Sequence, residues 1–113
     1  MMEQKIQETD VLVHQTEHYL NKIWERARAI PNFDPRVYRK DIYGAWIKRD
    51  EYGVREMSLS LGWIIITLRA SGQGSESEEL IPVQWQNATA HLEGFKLGVI
   101  TASGIINTKV LKT

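Results

Sequence analysis

The chain has 113 residues, of which 42% are hydrophobic and 25% charged, enough for one compact domain that folds on its own apolar core. Fourteen basic residues balance fourteen acidic ones, so no global field draws the chain to nucleic acid or to an anionic membrane, and binding to either needs a local patch. The absence of cysteine excludes disulfides, thiolate catalysis and cysteine-based zinc sites. Met1 to Gln7 is polar and charged, and no stretch has the length of a membrane span. The expectation is a single domain over 1–113, cytoplasmic and without a membrane partner.

From Asp10 to Ile30 the apolar positions Leu12, Val13, Tyr19, Leu20, Ile23, Trp24, Ala27 and Ile30, together with Thr16, recur at steps of three and four. This spacing predicts one long amphipathic helix over 10–30, capped by Thr9 or Asp10 and ended by Pro31. After the polar, basic segment that carries Arg36, Arg39 and Lys40, the run Ile42 to Ile47 reads as a strand, and Asp50 to Gly53 turns the chain. Leu61 to Arg69 is rich in β-branched residues and reads as a second strand, with Ile64, Ile66 and Leu68 on one face and Trp63, Ile65 and Thr67 on the other. Ser71 to Ser77 reads as a turn-rich loop, Leu80 to Val83 as a short extended piece, and Gln84 to Glu93 as a helix stopped by Gly94. The pattern closes with a hairpin over 95–111, its strands Phe95 to Thr101 and Ile105 to Leu111 joined at Ala102-Ser103-Gly104. No internal repeat or low-complexity tract interrupts this order.

Taken together, Trp24, Asp34-Pro35, Arg39-Lys40-Asp41, Gly44-Ala45-Trp46-Ile47, Tyr52-Gly53, Gly62-Trp63, Gly74-Ser75, Leu80, Pro82, Gln84-Trp85 and Asn87 resemble, in order and approximate spacing, a bacterial branch of the HNH endonuclease-like proteins. The likeness runs from Trp24 to the C-terminus and rests on the combination rather than on any one piece. It implies an α+β fold in which the long N-terminal amphipathic helix precedes an HNH-like ββα element, within an HNH-like region over 34–94, and the C-terminal β-hairpin.

In that family a strand aspartate and an asparagine or histidine on the following helix hold one divalent cation, while a strand histidine activates water against the scissile phosphate. Carried over by the resemblance, the ligand aspartate falls at Ile66, the general base at Thr67, the helix ligand at Ala88 and the loop asparagine that orients the base near Glu79. Isoleucine and alanine have no lone pair for a cation, and a threonine hydroxyl is a very weak base near neutral pH. A general base alone contributes roughly two to four orders of magnitude in rate, so the sequence predicts a catalytically degenerate member without a cofactor, acting as a binding or regulatory module. Its partner would be an unknown protein or a second copy of the chain.

Several other constellations carry expectations. A relocated metal site could draw on Glu76, Glu78, Glu79, Asn87 or His91 and support a weak metal-dependent endonuclease. His14-Gln15-Thr16-Glu17-His18 has the spacing of inverted zinc peptidases, although on a helical wheel its histidines point away from the apolar stripe. Between Asn21 and Arg55 nine basic residues stand against six acidic ones when Glu56, one step beyond, is included. Arg36, Arg39, Lys40, Lys48 and Arg49, with Trp46 interleaved, are the candidate contacts for nucleic-acid binding without cleavage, opposed by the acidic run at 76–79. The four tryptophans read as core anchors. Ile64, Ile66 and Leu68, apolar where a hydrated cleft is expected, form a candidate interaction surface that its own chain or a second copy would cover.

Overall fold

The computed structural model describes residues 16–56, 59–72, 75–95 and 97–110, with the side chains of 70–77 outside that description. Among these residues the chain forms two short helices, α1 (16–24) and α2 (Trp85–Leu92). Six strands pair in sequence order into three two-stranded antiparallel sheets: β1 (Tyr38–Lys40), β2 (Trp46–Lys48), β3 (Trp63–Gly72), β4 (Ser75–Gln84), β5 (Ile100–Ser103) and β6 (Ile106–Lys109). The expected α+β arrangement led by a long N-terminal helix is therefore corrected to a more β-rich one. The first part of that helix, 10–15, lies outside the described residues.

The helical pattern predicted through Ile30 stops at Trp24 because other groups take up the backbone there. Arg28 and Lys40 exchange both main-chain hydrogen bonds as an isolated antiparallel bridge, at 2.9 and 3.0 Å. The Arg39 guanidinium donates to the carbonyls of Glu25 and Ala27, just past the last helical residue, and so holds the chain there outside a helix. Leu20, Ile23, Trp24 and Ala27 are still buried, so the periodicity located the inward face but overstated the helix by six residues.

The run 42–47 divides in a similar way. Tyr43 N–H and Ala45 N–H both donate to one oxygen of Asp41, and Gly44 N–H to its carbonyl, which closes a turn over 41–45 before β2 begins at Trp46. Its partner strand is the basic segment, with Arg39 opposite Ile47 and Lys40 opposite Trp46.

β3 and β4 pair over ten residues each, from Trp63 opposite Gln84 to Gly72 opposite Ser75. Of the expected loop over 71–77, residues 71–72 and 75–77 are strand, and 73–74 lie outside the described residues. Serine and glycine have little intrinsic strand preference, and the partner strand overrides it. Pro82 is accommodated because each strand of a two-stranded sheet has an open edge, where no N–H is required.

At the base of this hairpin the chain passes beneath Val54. A Cβ added to Gly62 would stand 1.9 Å from the Val54 carbonyl oxygen, so only glycine fits there. The C-terminal hairpin exists with strands of four residues each among the described residues, shorter than the expected 95–101 and 105–111, and its turn is Gly104-Ile105 rather than 102–104. Gly104 has φ +65°, as the first central position of a type II′ turn requires.

Two apolar clusters result. Leu20, Trp24, Ala27, Ile47 and Trp63 pack together beneath α1, with Ile65 against them. Ile66, Ile81, Val83 and Ala88 pack between the β3–β4 hairpin and α2, joined by Tyr43, Ile64 and Leu68. Alternate residues of β3 thus serve opposite clusters, as its strand periodicity predicts. No helix of the described residues is long and apolar enough to cross a membrane.

Candidate functional site

β4 runs into α2 without a loop. Gln84, the last strand residue, caps the helix, its side-chain oxygen accepting from Gln86 N–H and Asn87 N–H at 2.9 and 3.1 Å. This junction sets α2 against β3, so that Ile66 and Ala88, two positions to which the HNH resemblance assigns metal ligands, enter one apolar cluster. Ile66 is 3% exposed and Ala88 is fully buried.

This donor set does not fit a divalent cation. Thr67 is exposed on the opposite face of β3, paired with Leu80, and Glu79 is exposed opposite Leu68. Nor do the residues of the alternative metal site converge. Glu78 is ion-paired with Arg69 at 2.8 Å, Asn87 is buried in hydrogen bonds of its own, and the side chain of Glu76 lies outside the described residues. Among the described residues no group of three or more histidines, cysteines or carboxylates could hold a metal ion. In the peptidase-like pattern His14 lies outside the described residues, His18 is exposed and Glu17 is bound to Arg49 at 3.0 Å.

Ile64, Ile66 and Leu68 do not form an open interaction face. Ile66 is closed over by its own chain, and Ile64 and Leu68 are half-buried against the same cluster. Beside them the Tyr43 hydroxyl stands 3.4 Å from His91 Nδ1, at a shallow apolar pocket lined also by Ile42, Leu68 and Phe95. Burial, with the negative charge of Asp41 nearby, pushes the Tyr43 hydroxyl above its ordinary value, so it stays a neutral donor.

One of the most heavily bonded groups is one that sequence reasoning passed over. Asp41 is 2% exposed. One of its carboxylate oxygens accepts from Tyr43 N–H and Ala45 N–H, both at 2.9 Å. The other accepts from Gln84 N–H at 2.9 Å and the Asn87 amide at 3.1 Å. Burial pushes the Asp41 carboxyl above the ordinary aspartate value, and the four donors oppose that shift by favouring the charged form.

Asn87 extends the network, donating to the Ile100 carbonyl and accepting from Val99 N–H and Ile100 N–H. Asn107 serves β2 as a strand partner would. Its amide accepts from Trp46 N–H at 2.6 Å and donates to the Trp46 and Ser60 carbonyls. Among the described residues no buried side-chain polar atom lacks a partner, so the network ties elements together and leaves nothing free for a ligand. The sequence signal for Asp41 was its place at the head of Asp41-Ile42-Tyr43-Gly44, a turn-forming position where aspartate folds back on the main chain.

The candidate nucleic-acid contacts are largely spoken for. Arg36 forms a fork with Asp34 and keeps that carboxyl below its ordinary value through side-chain hydrogen bonds. Arg39 is bound to the carbonyls of Glu25 and Ala27. Arg49, its side chain 16% exposed, binds Asn21 and Glu17 and lies over the Trp63 ring. Lys40 sits 4.7 Å from the centroid of Trp46, and Lys48 is 3.9 Å from Asp50.

Trp46 itself is buried and donates to the Gly104 carbonyl, which removes it as a stacking platform for bases. The other tryptophans are held too. Trp24 donates to the Pro35 carbonyl, Trp63 to that of Lys48 and Trp85 to the Ser60 hydroxyl.

Comparison with known proteins adds no relative, since no family model, no curated protein and no solved structure matches the chain.

Proposed function

We propose that this chain is a non-catalytic binding module that engages a protein partner rather than cleaving nucleic acid. The observation that carries the reading is the dry cluster of Ile66, Ile81, Val83 and Ala88 at the place the resemblance reserves for a hydrated cation. Burial of an isoleucine stabilises by roughly 1.5 to 3 kcal/mol, so these substitutions favour the fold while removing every ligand atom from two of the positions. Nucleic-acid binding ranks behind this reading because Arg36, Arg39 and Arg49 are engaged within the chain.

The test is a titration with magnesium, manganese, nickel and zinc, followed by tryptophan fluorescence and calorimetry, with nicking of supercoiled plasmid assayed in parallel. The expected result is no saturable binding below about 1 mM, a free energy of only about 4 kcal/mol, and no nicking. Chelator-sensitive nicking, or tight metal binding lost in Ile66→Lys, overturns the reading.

A further inference from the structure

We propose that the pocket between Phe33, Tyr38 and Trp46 seats one large apolar side chain of a partner protein, and that carboxylates beside that side chain meet Lys40 and Lys48. This rests on the binding-module reading and names its site. The pocket follows from the register of the β1–β2 ribbon. Tyr38 pairs with Lys48 and Lys40 with Trp46, and alternation along each strand puts all four side chains on one face. The other face carries Ile47, fully buried in the cluster beneath α1, so the aromatic and lysine face is turned away from that core.

Phe33 packs against this face. Its ring centroid lies 4.8 Å from that of Trp46 and 6.3 Å from that of Tyr38, and the Tyr38 and Trp46 centroids are 6.4 Å apart. The three rings, with Leu61 and Ile105, line a pocket of about 210 Å³. Trp46, 4% exposed and tied to the Gly104 carbonyl by its indole N–H, is the most buried of these walls. Phe33 and Ile105, 36% and 76% exposed, stand at the rim.

Ring geometry selects what enters. The rings meet at 55°, 80° and 85°, so no two parallel faces are left to sandwich a planar base. A methylated ammonium, the common guest of an aromatic cage, meets cations already in place. Lys40 Nζ lies 4.7 Å from the Trp46 centroid, and Lys48 Nζ lies 6.0 Å from that of Tyr38. A branched aliphatic side chain or a single phenyl ring fits an angled cup of this kind and removes Phe33 and Ile105 from water. Charge then selects its neighbours. Lys40 has no ion-pair partner among the described residues, and Lys48 has only Asp50, at 3.9 Å and with its side chain 74% exposed. Asp34, the acid next to Phe33, is already forked to Arg36. Carboxylates on the partner therefore complement this rim. A second copy docked symmetrically on the same face would set Lys40 and Lys48 against their own images.

The test uses capped heptapeptides with Leu, Phe or Ala at the centre and either Asp or Lys on both sides of it. Binding is read by two-dimensional NMR of the full chain, through the Trp46 indole N–H and the Phe33 and Ile105 amides. With flanking Asp, the Leu or Phe peptide should bind at least about tenfold tighter than the Ala peptide. Flanking Asp should be preferred over Lys by about fivefold, a preference weakened by salt and reversed in Lys40→Glu. Ile105→Ser, at an exposed position that leaves the core untouched, should weaken the Leu and Phe peptides and leave the Ala peptide unchanged.

Failure of the Leu and Phe peptides to bind below about 1 mM overturns the proposal, as do shifts confined to another element. A hexathymidylate that binds tighter than the peptides and moves the same resonances assigns the pocket to nucleic acid and overturns it equally. So does a chain that sediments as a dimer, excludes the peptides and dissociates in Ile105→Ser, since a second copy then fills the pocket. The metal titration keeps the two readings apart, because metal binding defeats the binding-module reading whereas failure of the peptides alone defeats only the pocket.

Discussion

Ala88 and Asn87 are neighbours on α2, yet they enter opposite kinds of interior. Ala88 packs into a dry cluster with Ile66, Ile81 and Val83, whereas Asn87 joins Asp41 in a network of hydrogen bonds that reaches Ile100. The apolar region occupies the place where the resemblance expects chemistry. The polar region is where the chain concentrates its buried donors and acceptors, and it is saturated. Polarity in this interior therefore marks architecture, joining the 41–45 turn, the β4–α2 junction and the C-terminal hairpin. Exposed apolar side chains lie elsewhere, at Ile105 and Ile106 of the C-terminal hairpin among others.

The largest test of that contrast is Asp41→Ala, which leaves four N–H donors without their acceptor. We expect a loss of about 3 to 5 kcal/mol in urea unfolding, because stranded buried donors cost far more than a hydrogen bond contributes. A loss below about 1 kcal/mol would mean that the network is not what ties these elements together.

Ile66→Ala comes next, with an expected loss of about 2 to 4 kcal/mol from the cavity it opens. The response to metal should not change. A near-neutral result would show that the cluster is looser than its burial indicates.

The smallest effect is a pH dependence. The folded Asp41 carboxyl titrates above its ordinary value of 3.8, so its contribution to stability is full below that pH and declines as pH rises through the raised value. The stability advantage of the wild type over Asp41→Asn, measured by urea unfolding from pH 3 to 7, should therefore shrink as pH rises. An advantage that grows with pH would mean that the four donors outweigh burial.

Local signals located several elements and missed where others ended. Trp85 to Leu92 was legible within the expected 84–93 because its stop at Gly94 is a local feature. The apolar alternation of β3 was legible for the same reason. The extra length of β3 and β4 was not, since Ser71, Gly72 and Ser75 to Ser77, weak strand formers by composition, are extended only because they continue the pairing of the apolar residues before and after them. The short α1 was hidden because Arg28 finds Lys40, and Arg39 finds Glu25 and Ala27, only after the chain has folded back.

The candidate site divides along the same line. The sequence by itself determined that Ile66 and Ala88 offer a cation no lone pair, because that follows from side-chain chemistry whatever the fold. Only the tertiary structure decided that these two side chains meet, that Asp41 is enclosed by four N–H groups, and that the basic segment spends its arginines on internal carbonyls and carboxylates. Residue chemistry is carried by each position alone, whereas burial and hydrogen-bond satisfaction depend on what distant parts of the chain bring to it.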